Sequence, residues 1–164
     1  MTETLVLLDN TVLSNFSVAQ QPGLAIEACP GRACTTAAAF AEYLAAPGEE
    51  RFAEHAWRDR PIIELTEGER QLAEALPAGL GAGERTCLAV ALARRSVLAA
   101  DDLHARRVAA RHGAKTAGTV GLLVMAIEAH LVSLYQANAL LTAMIAAGYR
   151  SPVESLDALL RAGR

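Results

Sequence analysis

The chain has 164 residues, about the size of one ordinary domain, so a single hydrophobic core spanning residues 1–164 is expected. It is 52% hydrophobic but only 4% aromatic, so the core must be built mainly from Ala, Leu and Val, which favours closely packed helices over a β-sandwich. Fifteen Lys and Arg against eighteen Asp and Glu give a net charge of −3, which excludes broad electrostatic capture of a polyanion and leaves only a local patch or a bound cation to do it.

Leu5–Leu8 is a short continuous apolar run ending in Asp9-Asn10-Thr11, the pattern of a buried strand that delivers polar residues to a helix start. A helix is expected over Val12–Ala19, and Pro22 opens a second. Arg32–Thr35 reads as a brief strand before an alanine-rich helix over Thr36–Ala46, which Pro47-Gly48 stops. Residues 48–60 are charged and expected to be helical in part. Pro61–Leu65 resembles a strand, and Thr66 to Glu69 has the spacing of a capping box, so a helix to about Leu76 should follow.

Pro77–Gly83 is a glycine-rich loop, after which Glu84 opens a helix with Leu88, Ala91 and Leu92 on one face. Ser96–Ala100 is another apolar strand, ending at Asp101-Asp102. A helix through about His112, a strand over Ala114–Ala117 and a helix after Gly118 continue the alternation. Ser151-Pro152-Val153-Glu154 combines an N-cap, a helix-opening Pro and a capping-box Glu, which predicts a last helix over 152–161. Repeated strand-then-helix alternation argues for an α/β fold with a parallel sheet and helices on both faces.

Cys29, Cys34 and Cys87 are odd in number, with no C-x-x-C spacing and no chelating His pair, so neither a disulfide framework nor a zinc site is expected, and a reducing cytoplasm fits. Met1–Asn10 lacks the basic and apolar regions of a signal peptide. No segment reaches the roughly eighteen uninterrupted apolar residues that span a bilayer, so no membrane partner is expected.

In parallel α/β folds ligands gather beyond the carboxyl ends of strands, where Asp9 and Asp101 fall. Glu84 lies in the first turn of its helix, in line with Leu88 and Ala91. Glu42 lies on a small-residue helix face, with Ala38, Ala39, Ala45 and Ala46 as neighbours and Phe40, Tyr43 and Leu44 opposite. Four carboxylates brought together would repel one another and hold protons unless a cation neutralised them, and oxygen-only ligation favours magnesium or manganese. Such an ion activates water and polarises a phosphodiester, so phosphodiester hydrolysis is the reaction class implied. Singly, each acid also has a structural explanation: Asp9 and Asp101 as N-caps, Glu84 as a favourable charge at a helix start, Glu42 as a solvated residue.

The run Leu7-Leu8-Asp9-Asn10-Thr11-Val12-Leu13-Ser14-Asn15 closely resembles the opening strand and first acidic motif of PIN-domain nucleases. Glu42 within Ala37–Leu44 resembles their second acidic position, Gly83–Ala89 their third, and Leu98–Asp102 followed by Ala105-Arg106 their fourth. Gly118–Leu123 and the end from Gly148-Tyr149 to Gly163 resemble a bacterial and archaeal branch of PIN-like proteins assigned as toxins of toxin–antitoxin pairs. The resemblance implies a three-layer α/β/α fold and Mg2+- or Mn2+-dependent ribonuclease activity on RNA. It further implies frequent homodimers and often inhibition by a small antitoxin. By the same resemblance Asp9, Glu42, Glu84 and Asp101 would be metal ligands or catalytic acids, with Thr11 and Thr119 supporting them through hydrogen bonds. Asp102 is the alternative to Asp101 at the fourth position. A non-catalytic PIN-like module that binds RNA or protein is the alternative reading of the whole.

His104, Arg107 and Arg111 fall at i, i+3 and i+7 with Arg106 beside them, a stripe suited to RNA phosphates or to an ordinary solvated face. Trp57 and Tyr135 read as packing residues rather than base-stacking platforms. The apolar excess of Leu122–Ala147 reads as core plus a dimer or antitoxin surface.

Overall fold

The computed structural model describes residues 3–46, 57 and 59–162. Its elements are β1 (Leu5–Leu8), α1 (Asn10–Val18), α2 (Pro22–Ala28), β2 (Arg32–Thr36), α3 (Ala37–Ala45), β3 (Ile62–Ile63) and α4 (Glu67–Ala75), followed by α5 (Ala82–Ala93), β4 (Val97–Ala99), α6 (Leu103–Arg111), β5 (Lys115–Ala117), α7 (Thr119–Glu128), α8 (Leu134–Ala146) and α9 (Asp157–Ala162). The expectation for 48–60 falls almost wholly outside the described residues. Trp57 is buried and donates its indole N–H to Ser17 Oγ at 2.8 Å, the packing role expected of it.

The five strands form one sheet in the order β3-β2-β1-β4-β5, and every described pairing is parallel. Period-2 alternation splits each strand between two apolar layers. Val6, Leu8, Ala33, Val97 and Ala99 enter a cluster with α1, α2, α7 and α8, including Phe16, Leu122, Leu141 and Met144. Leu7, Cys34, Leu98 and Ala100 enter the other, with Leu76 and the Cys87–Ala91 stretch of α5. The protein is therefore a three-layer α/β/α structure. Burying a side chain such as Phe16 or Leu98 fully is worth about 1.5–3 kcal/mol.

Side-chain caps open several of the described helices. Thr66 and Glu69 form the expected capping box, Thr36 Oγ1 accepts from Ala39 N, and Ser133 with Gln136 forms a second capping box that opens α8. The last helix is a correction. It begins at Asp157, not Pro152, because Ser151 closes a tight turn on Val153 and the chain is then clamped by α8: Asn138 Oδ1 accepts from Leu156 N at 2.9 Å while its amide donates to Asp157 Oδ2 at 3.0 Å. Burial of Leu156 fixes that start. Tyr135 is also corrected, since it is 84% exposed and packs on no core.

The chain order runs from β1 outward to β2 and β3, then returns to β4 and β5 on the other side. The carboxyl ends of β1 and β4 therefore flank the point where the winding reverses, the usual place for a crevice. Leu8 is in register with Ala99, and Asp9 N donates to Ala99 O at 2.9 Å, so Asp9 and Asp101 leave the sheet side by side.

Candidate active site

A cleft of about 620 Å3 opens at this edge, lined by Asn10, Thr11, Ser14 and Asn15 of α1, by Ala147–Arg150, and by Glu84, Asp101 and Asp102. Asp9, the residue before the lining Asn10, is buried beneath it and 1% exposed. It occupies the N-cap position of α1 but makes no capping bond, and both carboxylate oxygens are buried without a hydrogen-bond partner. The structural explanation of Asp9 as a cap therefore fails. Burial raises its pKa to about 7, the Asn10 amide opposes this in part, and the charges of Glu84, Glu42 and Asp101 add to the rise.

Glu42 is not a solvated residue. Its Oε1 accepts from Gly83 N at 2.9 Å, at the first turn of α5, and its Oε2 accepts from Asn10 Nδ2 at 3.0 Å. The small-residue face serves the close approach expected of it: a Cβ added at Gly83 would stand 2.6 Å from Glu42 Oε2 and 3.0 Å from Ala39 Cα. Glu84 turns back to accept from Gly81 N at 3.1 Å. Its pKa is raised, first by burial and further by Asp102 and Glu42, while the Gly81 bond and His104 oppose.

The adjacent aspartates have different partners. Asp102 Oδ1 accepts from Ala105 N at 2.8 Å and caps α6. Asp101 instead accepts from Thr119 N at 2.7 Å, Thr119 Oγ1 at 2.6 Å, Asn15 Nδ2 at 3.1 Å and Tyr149 Oη at 3.2 Å. Thr119 thus holds Asp101 through both its backbone N–H and its hydroxyl. Thr11 does not do so through protein partners, because its hydroxyl is buried without one.

Among the expected nucleic-acid contacts, His104, Arg107 and Arg111 are exposed on α6, outside the cleft lining. Arg106 points elsewhere: a Cβ at Gly118 would lie 2.9 Å from its Nη1 and 3.0 Å from Asp101 Oδ1, so both groups face that glycine. Sequence reasoning missed Asn15, Tyr149 and Arg150 as site residues. Asn15 stood within the quoted first motif, and its spacing of four from Thr11 put it on the same helix face. Tyr149 stood in the chain end that resembles the family but carried no role, and nothing local singled out Arg150.

The donor set is all oxygen, which suits a hard divalent cation, and Asp9 is the orphaned carboxylate such an ion would satisfy. Among the described residues, however, no three His, Cys, Asp or Glu side chains converge as a ready-made ligand group, because Glu42, Glu84 and Asp101 are turned to protein donors. Magnesium commonly keeps several waters and takes only one or two carboxylates, so the residues fit such an ion. Burial pushes the Cys29 and Cys34 thiols up to about 12 and about 11 and raises Cys87 as well, which disfavours a thiolate at any of the three. No described helix is long and apolar enough to cross a membrane.

A family model described as a PIN domain matches residues 5–163. No curated protein and no solved structure matches the chain.

Proposed function

The chain belongs to the PIN-domain family, and on that footing we propose that it is a metal-dependent endoribonuclease that hydrolyses RNA phosphodiester bonds. The family membership itself carries a nuclease-type function. The finer reading takes Mg2+ or Mn2+ as the ion, with Asp9 as its first ligand and Glu84, Asp101 or Asp102 completing the set directly or through water. Glu42 holds the first turn of α5 in place or positions water. When bound, the ion supplies charge neutralisation and a water of lowered pKa.

The observation that carries this reading is Asp9. A carboxylate that is 1% exposed, unpaired and surrounded by other acids is costly to the fold unless a cation is its partner. Asn10 and Asn15 hold Glu42 and Asp101 at fixed positions around it, which is the preorganisation a hydrolytic site requires.

The proposal extends to one domain over residues 1–164, acting in the cytoplasm as the toxin of a toxin–antitoxin pair, as a homodimer and with a small antitoxin as partner. The exposed Leu131 before α8 and Tyr135 in its first turn support a protein partner there. One observation favours the second reading, a non-catalytic RNA- or protein-binding module: Asp101 is held by four donors within the chain. Titrating Mn2+ while following thermal unfolding separates the readings from a metal-free fold. A rising midpoint that Asp9→Asn abolishes is expected, and no shift in either protein overturns the metal site. Cleavage of a labelled RNA in Mg2+ or Mn2+ then distinguishes the nuclease from the silent module.

A further inference from the structure

The acid cleft poses an electrostatic problem that the sequence left to the α6 stripe. Its lining carries Glu84, Asp101 and Asp102, yet the exposed cations of α6 do not line it. Arg150 does. It is exposed and makes no ion pair or hydrogen bond among the described residues, so its guanidinium is available to an anion.

The backbone aims it there. Helix α8 ends at Ala147, and Gly148 takes φ 114°, a left-handed conformation open to glycine, with Tyr149 N donating back to Met144 O at 3.0 Å. This reversal brings Tyr149 onto the α1/α7/α8 apolar cluster and its hydroxyl onto Asp101 Oδ1. The residue after it, Arg150, lines the cleft together with α1.

We infer that Arg150 binds a phosphodiester group of a nucleic-acid strand lying in the acid cleft, with Tyr149 anchoring the turn that presents it. The inference rests on the nuclease reading for the strand's location, but it concerns binding rather than turnover. Guanidinium matches phosphate by two parallel N–H donors, and a cation among the cleft's lining residues offsets repulsion between the acids and the incoming strand.

The test is fluorescence anisotropy of labelled single-stranded RNA and DNA of one sequence, with Ca2+ present to hold back turnover, across a salt series. Arg150→Gln is expected to weaken RNA binding about ten-fold. It should also lower the slope of log affinity against log salt by about 0.7, the signature of one lost phosphate contact to a single strand. Arg150→Lys should keep the slope, and both variants should keep the wild-type thermal midpoint. Equal dependence with DNA means that the shared phosphodiester is read; dependence with RNA alone means that the strand is further selected by its 2′-hydroxyl. An unchanged affinity and slope in Arg150→Gln, or no binding by the wild type, overturns the inference. Arg150-dependent binding without RNA cleavage in Mn2+ overturns the nuclease reading and leaves this one standing.

Discussion

Tyr149 Oη donates to Asp101 Oδ1 across 3.2 Å, joining residues 48 apart in the chain. The bond ties the turn after α8 to the acid at the end of β4. Tyr149→Phe keeps the ring's packing but removes one donor from a charged acceptor, a loss of about 1.5 kcal/mol by the usual worth of such bonds. Asp101 keeps Thr119 and Asn15, so the variant should fold. Urea unfolding checks this; an undiminished stability would mean that the hydroxyl is not held by Asp101 in solution.

That long-range bond also shows where sequence reasoning stops. The alternation of strands and helices was legible because each element carries its own period and caps: the Leu5–Leu8 run and the Thr66–Glu69 box needed no distant partner. Asp9 and Asp101 were legible as strand-end acids for the same reason. Tyr149 and Arg150 were not, because their importance depends on how α8 docks against α1 and α7, which no local pattern encodes. The last helix failed likewise. Ser151-Pro152 is a sound local start signal, but Asn138, brought by α8, outweighs it. The division between Asp101 and Asp102 needed the position of Thr119, 18 residues away.

Gly83 gives a prediction with a sign opposite to helix propensity. Replacing a helix glycine with alanine ordinarily gains up to about 0.5–1 kcal/mol, the full amount in a helix interior and less in the first turn where Gly83 sits. Here the added Cβ meets Glu42 Oε2 at 2.6 Å and the Ala39 backbone at 3.0 Å, and backbone cannot swing aside. Gly83→Ala should therefore destabilise by about 1–3 kcal/mol and displace Glu42 from the Gly83 amide. Thermal unfolding measures the first effect, and a stabilised variant would contradict the close packing of α3 on α5.

Asp9 predicts an inverted pH dependence for the metal-free protein. Its folded pKa of about 7 lies above the ordinary value of 3.8, so the folded state binds the extra proton between those limits. Its contribution to stability is therefore neutral below the ordinary value and becomes unfavourable as pH rises through the folded one. In EDTA, Asp9→Asn should be as stable as wild type near pH 4 and more stable by a few kcal/mol near pH 8. Added Mn2+ should recover stability at pH 8 in the wild type alone. Parallel pH profiles for the two proteins would show that the Asp9 carboxylate is not strained by its burial.

Asp101 and Asp102 are separable by what each does without metal. Asp102→Ala removes the acceptor for Ala105 N and should cost about 1 kcal/mol, whereas Asp102→Asn retains a capping oxygen and should leave the midpoint in EDTA nearly unchanged. Asp101→Asn puts an amide N–H where Thr119 N, Thr119 Oγ1, Asn15 and Tyr149 all donate, so at least one donor is left unmatched at a cost of about 1–3 kcal/mol. Thermal unfolding of the three variants in EDTA should rank Asp102→Asn above Asp102→Ala and Asp101→Asn lowest. With those midpoints as baselines, any Mn2+-induced rise lost in Asp102→Asn is a ligand effect, since its fold is intact. The reverse ranking would mean that Asp102, not Asp101, is the carboxylate the surrounding donors hold.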